Sequence, residues 1–207
     1  MAVKRTIKAS DGSVSDSVSI ADTPVGSVSV VVKDGFVVEV SIGGAQGCFA
    51  ADAQHEARKA ALALKRYFSG EREKFSSLRL KPAGSAFEKA VWKEISRIPY
   101  GHVTTYGDIA RSLGNAGAAR AVGSACGKNP IPIIIPCHRV VAKGSIGGYS
   151  GGLSIKKALM KIEGLGSALS GKGPFKKNTC ARKLSPQRSQ RARQRAARSG
   201  ARSSARI

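Results

Sequence analysis

The chain has 207 residues, 42% of them hydrophobic, enough to bury a core in one or two compact domains without help from disulfides. Net charge is +22: residues 164–207 hold 12 of the 35 Lys and Arg and no Asp or Glu, and the remaining 23 basic residues still outnumber 13 acidic ones, which points to a polyanionic partner, nucleic acid first. No run approaches the roughly 18 apolar residues of a membrane helix, the N-terminus lacks a signal peptide's apolar segment, and Cys48, Cys126, Cys137 and Cys180 show no paired spacing, so a membrane protein and a disulfide-stapled secreted scaffold are both excluded in favour of a reducing, intracellular setting.

In chain order, TPVGSVSVVVKDGFVVEVSIGG (23–44) alternates β-branched with small or polar residues and is broken by KDG, which predicts a β-hairpin. DAQHEARKAALALKRYF (52–68) sets Ala57, Ala60, Leu64 and Tyr67 at helical spacing. Residues 1–80 therefore read as a small α/β domain, and the Pro- and Gly-bearing stretch 76–87 as the connection to a second, mostly helical domain over 81–166. There, Ser85 is placed to cap a helix whose Phe87, Val91, Ile95 and Ile98 share a face, with Trp92 beside them.

Thr105 caps a short helix ending at Gly114, and 115–126 follows at once as another, ended by Gly127, making a helix-turn-helix candidate. Arg120 is the only large polar side chain of that second helix. So few bulky residues suit either a helix pressed against a narrow groove or a buried Ala-rich helix. Ser154 is expected to cap a last helix with Ile155, Ala158, Leu159 and Ile162 inward and Gly164 as its stop. The basic stretch 167–207 has too few apolar residues to offset its ordering entropy and reads as a disordered tail.

The chemistry concentrates in IPIIIPCHRV (131–140). A cysteine nucleophile reacts as the thiolate, and a neighbouring imidazole is the usual means of forming it near neutral pH. Adjacent residues of an extended strand face opposite ways, so Cys137 and His138 can cooperate only if Pro136 starts a turn. Glu163, the only acidic residue after Asp108, is the natural group to orient the imidazole. A bare Cys-His pair also fits a buried cysteine beside a surface histidine. With only His55, His102 and His138, none at zinc-ligand spacing from a cysteine pair, no metal is expected.

NPIPIIIPCHRVV, preceded by YGHVTTYGDIA and AARAVG and followed by GGYSGGLSIKKALMKIEG, closely resembles the O6-alkylguanine-DNA alkyltransferases, the methylated-DNA–protein-cysteine methyltransferases. The likeness runs from about Phe87 to Gly164 and touches the N-terminal part only at TPVGSVSVVV. It implies a ribonuclease-H-like α/β N-terminal domain and a helical, winged-helix-like DNA-binding domain, without a cofactor. The zinc ligands of some members are absent.

The implied function is repair by single-turnover transfer of an alkyl group from O6-alkylguanine in double-stranded DNA to Cys137. O4-alkylthymine stays open as a second substrate. By the same resemblance His138 acts through water on the thiol, Glu163 holds the imidazole, Tyr106 donates to the departing base, and Asn129 braces the turn. Main-chain oxygens of Cys137 and Val140 receive the base's amine, Tyr149, Ser150 and Gly151 line the pocket, Arg120 replaces the extruded nucleotide, and Asn115 and Lys143 contact phosphate. The protein is expected to be monomeric and cytoplasmic, nucleoid-associated in a prokaryote or nuclear in a eukaryote. Two rivals remain: a binder that recognises the lesion without repairing it, which lacks the acceptor cysteine, and a basic chromatin-type binder indifferent to damage.

Overall fold

Two consecutive residues with positive φ, Asp34 at 53° and Gly35 at 71°, form the tight turn between Lys33 and Phe36. Asp-Gly is the pair that takes this doubly left-handed turn at least cost, and its twist matches the strands it joins. A computed structural model describes residues 7–8, 14–43 and 55–166 of the chain. The expected tail, Cys48 and Cys180 lie outside the described residues.

The hairpin strands, β3 (Gly26–Lys33) and β4 (Phe36–Ile42), belong to a four-stranded antiparallel sheet ordered β1 (Ile7–Lys8), β2 (Val14–Thr23), β3, β4. The sequence reading began this sheet at residue 23 and missed β2. Ser15, Ser17 and Ser19 dilute its hydrophobic alternation. Val28, Val30 and Val32 point inward from β3 with Val18 and Ile20 of β2. They pack on helix α1 (His55–Phe68), whose Ala57, Ala60, Leu64 and Tyr67 are buried at the expected spacing.

The free edge of β4 is covered by the chain that leaves the layer and by the chain that leads to Cys137. Val37 N–H donates to Arg79 O (2.8 Å), Lys81 N–H to Val37 O (3.0 Å) and Val40 N–H to Pro130 O (2.8 Å). A covered edge resists pairing with other chains, and here it also anchors the loop that precedes the candidate nucleophile.

Helix α2 (Ala86–Ile95) starts at a capping box, with the Ser85 hydroxyl accepting from Glu88 N–H and the Glu88 carboxylate from Ser85 N–H. Val91, Trp92, Ile95 and Ile98 are buried, but Phe87 is 40% exposed. Its neighbours Ser85 and Ala86 at the helix start are exposed as well. Trp92 Nε1–H donates to Ala125 O (2.8 Å), joining α2 to the helix pair that follows.

That pair is α3 (Tyr106–Ser112), capped by Thr105 as expected, and α4 (Ala119–Gly127). Residues 116–118 form a 3-10 turn capped by Asn115, so α4 starts four residues later than the sequence suggested and includes Gly127. Short 3-10 turns are common at helix starts, and the Asn115 side chain supplies the local acceptor for this one. Strands β5 (Thr104–Thr105) and β6 (Val140–Val141) pair in parallel, Thr104 with Val140. This short ladder brings Tyr106, one residue after β5, beside the Cys137 turn that enters β6.

The last helix, α5 (Leu153–Ile162), begins before the predicted cap. Gly152 O accepts from Lys156 N–H (3.3 Å), placing Ser154 inside the first turn. Its fully buried positions are Lys156, Leu159 and Met160, with Glu163 just past its end. Ile155, Ala158 and Ile162 are half-buried at the margin. Among the described residues no helix is long and apolar enough to cross a membrane.

Candidate active site around Cys137

The chain reaches Cys137 through two tight bends. Ile134 N–H donates to Pro132 O (2.9 Å) across Ile133, which sits at φ 72°, a conformation that costs a β-branched residue about 1–3 kcal/mol. Cys137 N–H donates to Ile135 O (2.8 Å) across Pro136 at φ −81°, ψ 66°, an inverse γ-turn that proline tolerates well. The strained bend is held by its surroundings, since Ile131, Ile133, Ile134 and Ile135 are all buried.

Asn129 spans both bends. Its Oδ1 accepts from Ile131 N–H (3.0 Å), and its Nδ2 donates to Ile135 O (2.8 Å) and to Cys137 Sγ (3.2 Å). Pro136 does start a turn, and Cys137–Arg139 is one turn of 3-10 helix, so Cys137 and His138 leave the backbone in different directions without alternating as in a strand.

Cys137 is 4% exposed and His138 fully buried. Burial raises the Cys137 thiol above its ordinary range against the opposing Asn129 hydrogen bond, and burial lowers the His138 imidazole against the opposing Glu163. Both shifts favour the uncharged forms, thiol and imidazole.

His138 Nε2 lies 2.7 Å from Glu163 Oε1. Burial works to raise the Glu163 carboxyl, but His138 and the Arg139 guanidinium overcome it and hold it down at about 2. An ionised Glu163 assigns the shared proton to Nε2, which leaves Nδ1 as a lone pair. Nδ1 is buried and has no protein hydrogen-bond partner among the described residues.

Three groups in this region were not anticipated. Arg139 donates to Glu163 from Nε (2.9 Å to Oε2) and Nη2 (3.0 Å to Oε1) and from Nη1 to Ile98 O (2.6 Å). Tyr67, on α1, donates its hydroxyl to Glu163 Oε1 (2.9 Å). Lys156, fully buried, directs its ammonium at three carbonyls: Val140 O (2.7 Å), Ile146 O (2.7 Å) and Gly148 O (3.0 Å). Burial lowers its pKa to about 8, so it remains a cation at neutral pH. A signal for Lys156 was present, because Lys156, Leu159, Met160 and Glu163 follow the i, i+3, i+4, i+7 rule. Replacing Lys156 by Met keeps the stem but leaves three oxygens without a donor; urea denaturation should show a loss of about 2–4 kcal/mol.

A cavity of about 150 Å³ opens beside the thiol. Cys137, Tyr106, Tyr149 and Ser150 line it with Gly123, Cys126, Gly127 and Gly148. Tyr106 O–H donates weakly to Gly148 O (3.4 Å), and burial pushes its pKa to about 12. Gly147, at φ 70°, lies where a Cβ would stand 3.1 Å from the Tyr106 ring and hydroxyl, so a side chain there would push the tyrosine. The Tyr149 hydroxyl is buried and meets no group at ordinary hydrogen-bond geometry among the described residues, but it lies close enough to the Cys137 thiol to draw that thiol's pKa down against burial.

Gly151 and Val140 are not among the lining residues. Gly151 lies under the Tyr149 ring, 3.1 Å from where its Cβ would be, and supports that wall from behind. Val140 is buried in β6 with its oxygen engaged by Lys156, and Cys137 O already accepts from Val140 N–H. Cys126, one of the cysteines without paired spacing, is both buried in the core and part of the cavity wall.

Outside the cavity runs a wider groove of about 580 Å³ between α3, the exposed side of α4 and the strand end at Ala142 and Lys143. Arg120 and Lys143 line it, facing Thr105, Gly107 and Arg111. Asn115 does not line it, and its Oδ1 is committed to Gly117 N–H (3.2 Å). Among the described residues no three His, Cys, Asp or Glu side chains are grouped to hold a metal ion.

A shielded thiol, an imidazole held by a carboxylate, and a cavity that shares Tyr106 and Gly123 with a groove bearing Arg111, Arg120 and Lys143 form an arrangement chemically able to place a cysteine nucleophile against a ligand. The family described as 6-O-methylguanine DNA methyltransferase, DNA binding domain, matches residues 86–165. A methylated-DNA–protein-cysteine methyltransferase of Methanosarcina acetivorans is 50% identical over 108 residues, 52% of this chain and 69% of that protein. The probable methylated-DNA–protein-cysteine methyltransferase of Acanthamoeba polyphaga mimivirus is 40% identical over 147 residues, 70% of this chain and 95% of its own. In three dimensions the chain is similar to a Mycobacterium tuberculosis OGT solved in complex with DNA, with a TM-score of 0.64, 35% identity, and coverage of 74% of this chain and 94% of that one. The chain belongs to the methylated-DNA–protein-cysteine methyltransferase family.

Proposed function

We propose that this protein repairs DNA by moving the alkyl group of O6-alkylguanine onto Cys137, once per molecule. The observation that carries the reading is the position of the Cys137 thiol, at the inner wall of a cavity that opens beside a groove bearing Arg120 and Lys143. Family membership and the DNA complex of the tuberculosis relative support it.

In the reaction, His138 Nδ1 takes the thiol proton through a water, and the thiolate sulfur attacks the alkyl carbon. The S–C bond forms as the C–O6 bond breaks, and the electron pair passes into the purine. Tyr106 supplies a proton to the ring nitrogen so that guanine leaves neutral, and is itself restored by the proton held on His138. The products are an S-alkylcysteine and guanine, and the thioether offers no group able to leave again. Asn129 holds Sγ and the two bends, and Tyr149 and Ser150 enclose the alkyl group.

On the DNA side, residues 81–166 act as the DNA-binding and alkyl-acceptor domain, with α3, α4, β5 and β6 as its winged-helix-like part, and residues 1–80 act as a ribonuclease-H-like domain. The exposed face of α4 is built from small residues with one long side chain, which suits entry into the minor groove and replacement of an extruded nucleotide by Arg120. Lys143 contacts phosphate, and the Asn115 amide nitrogen, opposite its committed oxygen, does the same. The active species is a monomer on double-stranded DNA.

The test is intact mass after mixing with duplex carrying a single O6-methylguanine: the protein should gain one methylene, in a 1:1 yield. No gain of mass overturns the reading. Arg120→Ala should slow transfer from duplex by about 10- to 100-fold, because base extrusion costs a few kcal/mol, while transfer from a lesion in single-stranded DNA changes far less.

A further inference from the structure

Glu163 collects more donors than an orienting carboxylate requires, and one of them comes from the other layer of the molecule. Tyr67 stands on α1, 96 positions before Glu163, with its hydroxyl 2.9 Å from Oε1, the oxygen that also faces His138 Nε2. The same hydroxyl lies 3.4 Å from His138 Nε2 itself. Its ring is held by Phe68, Phe75 and Tyr100, with centroid distances of 5.4, 5.8 and 6.1 Å, so the hydroxyl has one place to be. Burial and the adjacent Glu163 charge raise its pKa far above the ordinary phenol range, which keeps it a donor throughout.

We propose that Tyr67 is a positioning residue for the transfer reaction: the sheet-and-helix layer uses its hydroxyl to share Glu163 Oε1 with His138 and so keeps the imidazole neutral, with the proton on Nε2 and the Nδ1 lone pair available to the thiol. This rests on the alkyl-transfer reading above. A carboxylate that gives part of its accepting capacity to Tyr67 and Arg139 holds the imidazole proton less tightly. Without the Tyr67 donor, Glu163 stabilises the imidazolium more, and the base is protonated at a higher pH. The other groups facing this pair are Arg139, which stays bound to Glu163, the Gly101 N–H at 3.0 Å from Oε2, and Tyr100, whose hydroxyl goes to Ile162 O (2.8 Å). Lys156 is the remaining cation that acts on His138.

Tyr67→Phe removes one oxygen and keeps the ring stack. Measured as single-turnover rate against pH, the acid limb of transfer should move upward by about one unit, a roughly tenfold slower reaction on that limb, and the curves should converge at higher pH. Affinity for O6-methylguanine duplex, measured with Cys137→Ser added to both forms, should stay within about twofold. Tyr100→Phe is the control, since it deletes a hydroxyl of the same cluster that does not touch Glu163, and its profile should not move.

An unshifted profile in Tyr67→Phe, or an equal shift in Tyr100→Phe, overturns the proposal. In the unaltered chain the imidazole nitrogen spectrum should report His138 as the neutral Nε2–H tautomer near neutral pH, whatever the variants do; the Nδ1–H form also overturns it. If the unaltered protein transfers nothing, the functional reading itself has failed. Transfer with an unmoved Tyr67→Phe profile removes only this proposal.

Discussion

Cys137→Ser should gain no mass from O6-methylguanine duplex, and its transfer rate should fall by at least about 10⁴-fold, the scale on which an enzyme loses turnover when its nucleophile is removed. The substitution is nearly isosteric at a site that is 4% exposed, and the Asn129 amide can donate to a hydroxyl oxygen as it does to sulfur at 3.2 Å. Fold and DNA affinity should therefore survive. What is lost is ionisation, because burial already holds the thiol above its ordinary range and a buried alcohol is harder still to deprotonate. Intact mass and duplex binding, measured side by side, check the result. An unchanged mass gain would move the acceptor elsewhere, with Cys126, in the same cavity wall, as the first place to look.

Glu163→Gln should cost about 3–5 kcal/mol of stability and lower the melting temperature by on the order of 10 °C. The carboxylate is buried and accepts from Tyr67, Gly101 N–H, His138 and Arg139. A glutamine of the same shape turns one of its acceptors into a donor aimed at other donors and leaves the Arg139 charge buried without its counter-ion. Denaturant midpoints at neutral pH measure the loss.

The pH dependence gives a second readout. With the carboxyl held down at about 2 in the folded chain against an ordinary 4.5, its contribution is fully present above pH 4.5 and is lost as pH falls from there towards 2. The gap between the unaltered protein and Glu163→Gln should therefore narrow across that range. A gap that stays constant down to pH 2.5 would mean that Glu163 contributes shape and not charge.

Local patterns foretold much of this architecture because short-range physics determines them. The Asp-Gly turn, the Ser85 and Thr105 caps and the valine alternation of β3 each depend on neighbours within a few positions. Where a local rule had two local solutions, the boundaries moved: the helix expected from residue 115 begins as a 3-10 turn and becomes α4 only at Ala119, and α5 starts at Leu153 through the Gly152 carbonyl instead of a Ser154 cap.

Phe87 illustrates a different limit. Its spacing with Val91 and Ile95 is helical, but a period gives the direction a side chain faces and not whether another element lies there to cover it. Around Cys137 the sequence supplied the motif and named Glu163 as the candidate partner of His138, since it is the only acidic residue after Asp108, but spacing left a surface histidine open and only the family resemblance implied the pairing. It left the company of Glu163 unseen, because Arg139 reads as one more surface cation and Tyr67 as one more core aromatic until the two layers meet.

Residue order alone determined the valine alternation of β3, the helix periods, the Ser85 and Thr105 caps, the cationic excess and the one Cys-His step preceded by a proline. Tertiary structure alone decided which wall Cys126 lines, which three carbonyls Lys156 secures, and how Tyr67 reaches a carboxylate 96 positions away. The division has a physical cause. Backbone conformation and amphipathic period are set by interactions within a turn or two of chain, whereas the donors that satisfy a buried charge are whichever groups the packing of separate elements brings within hydrogen-bond reach.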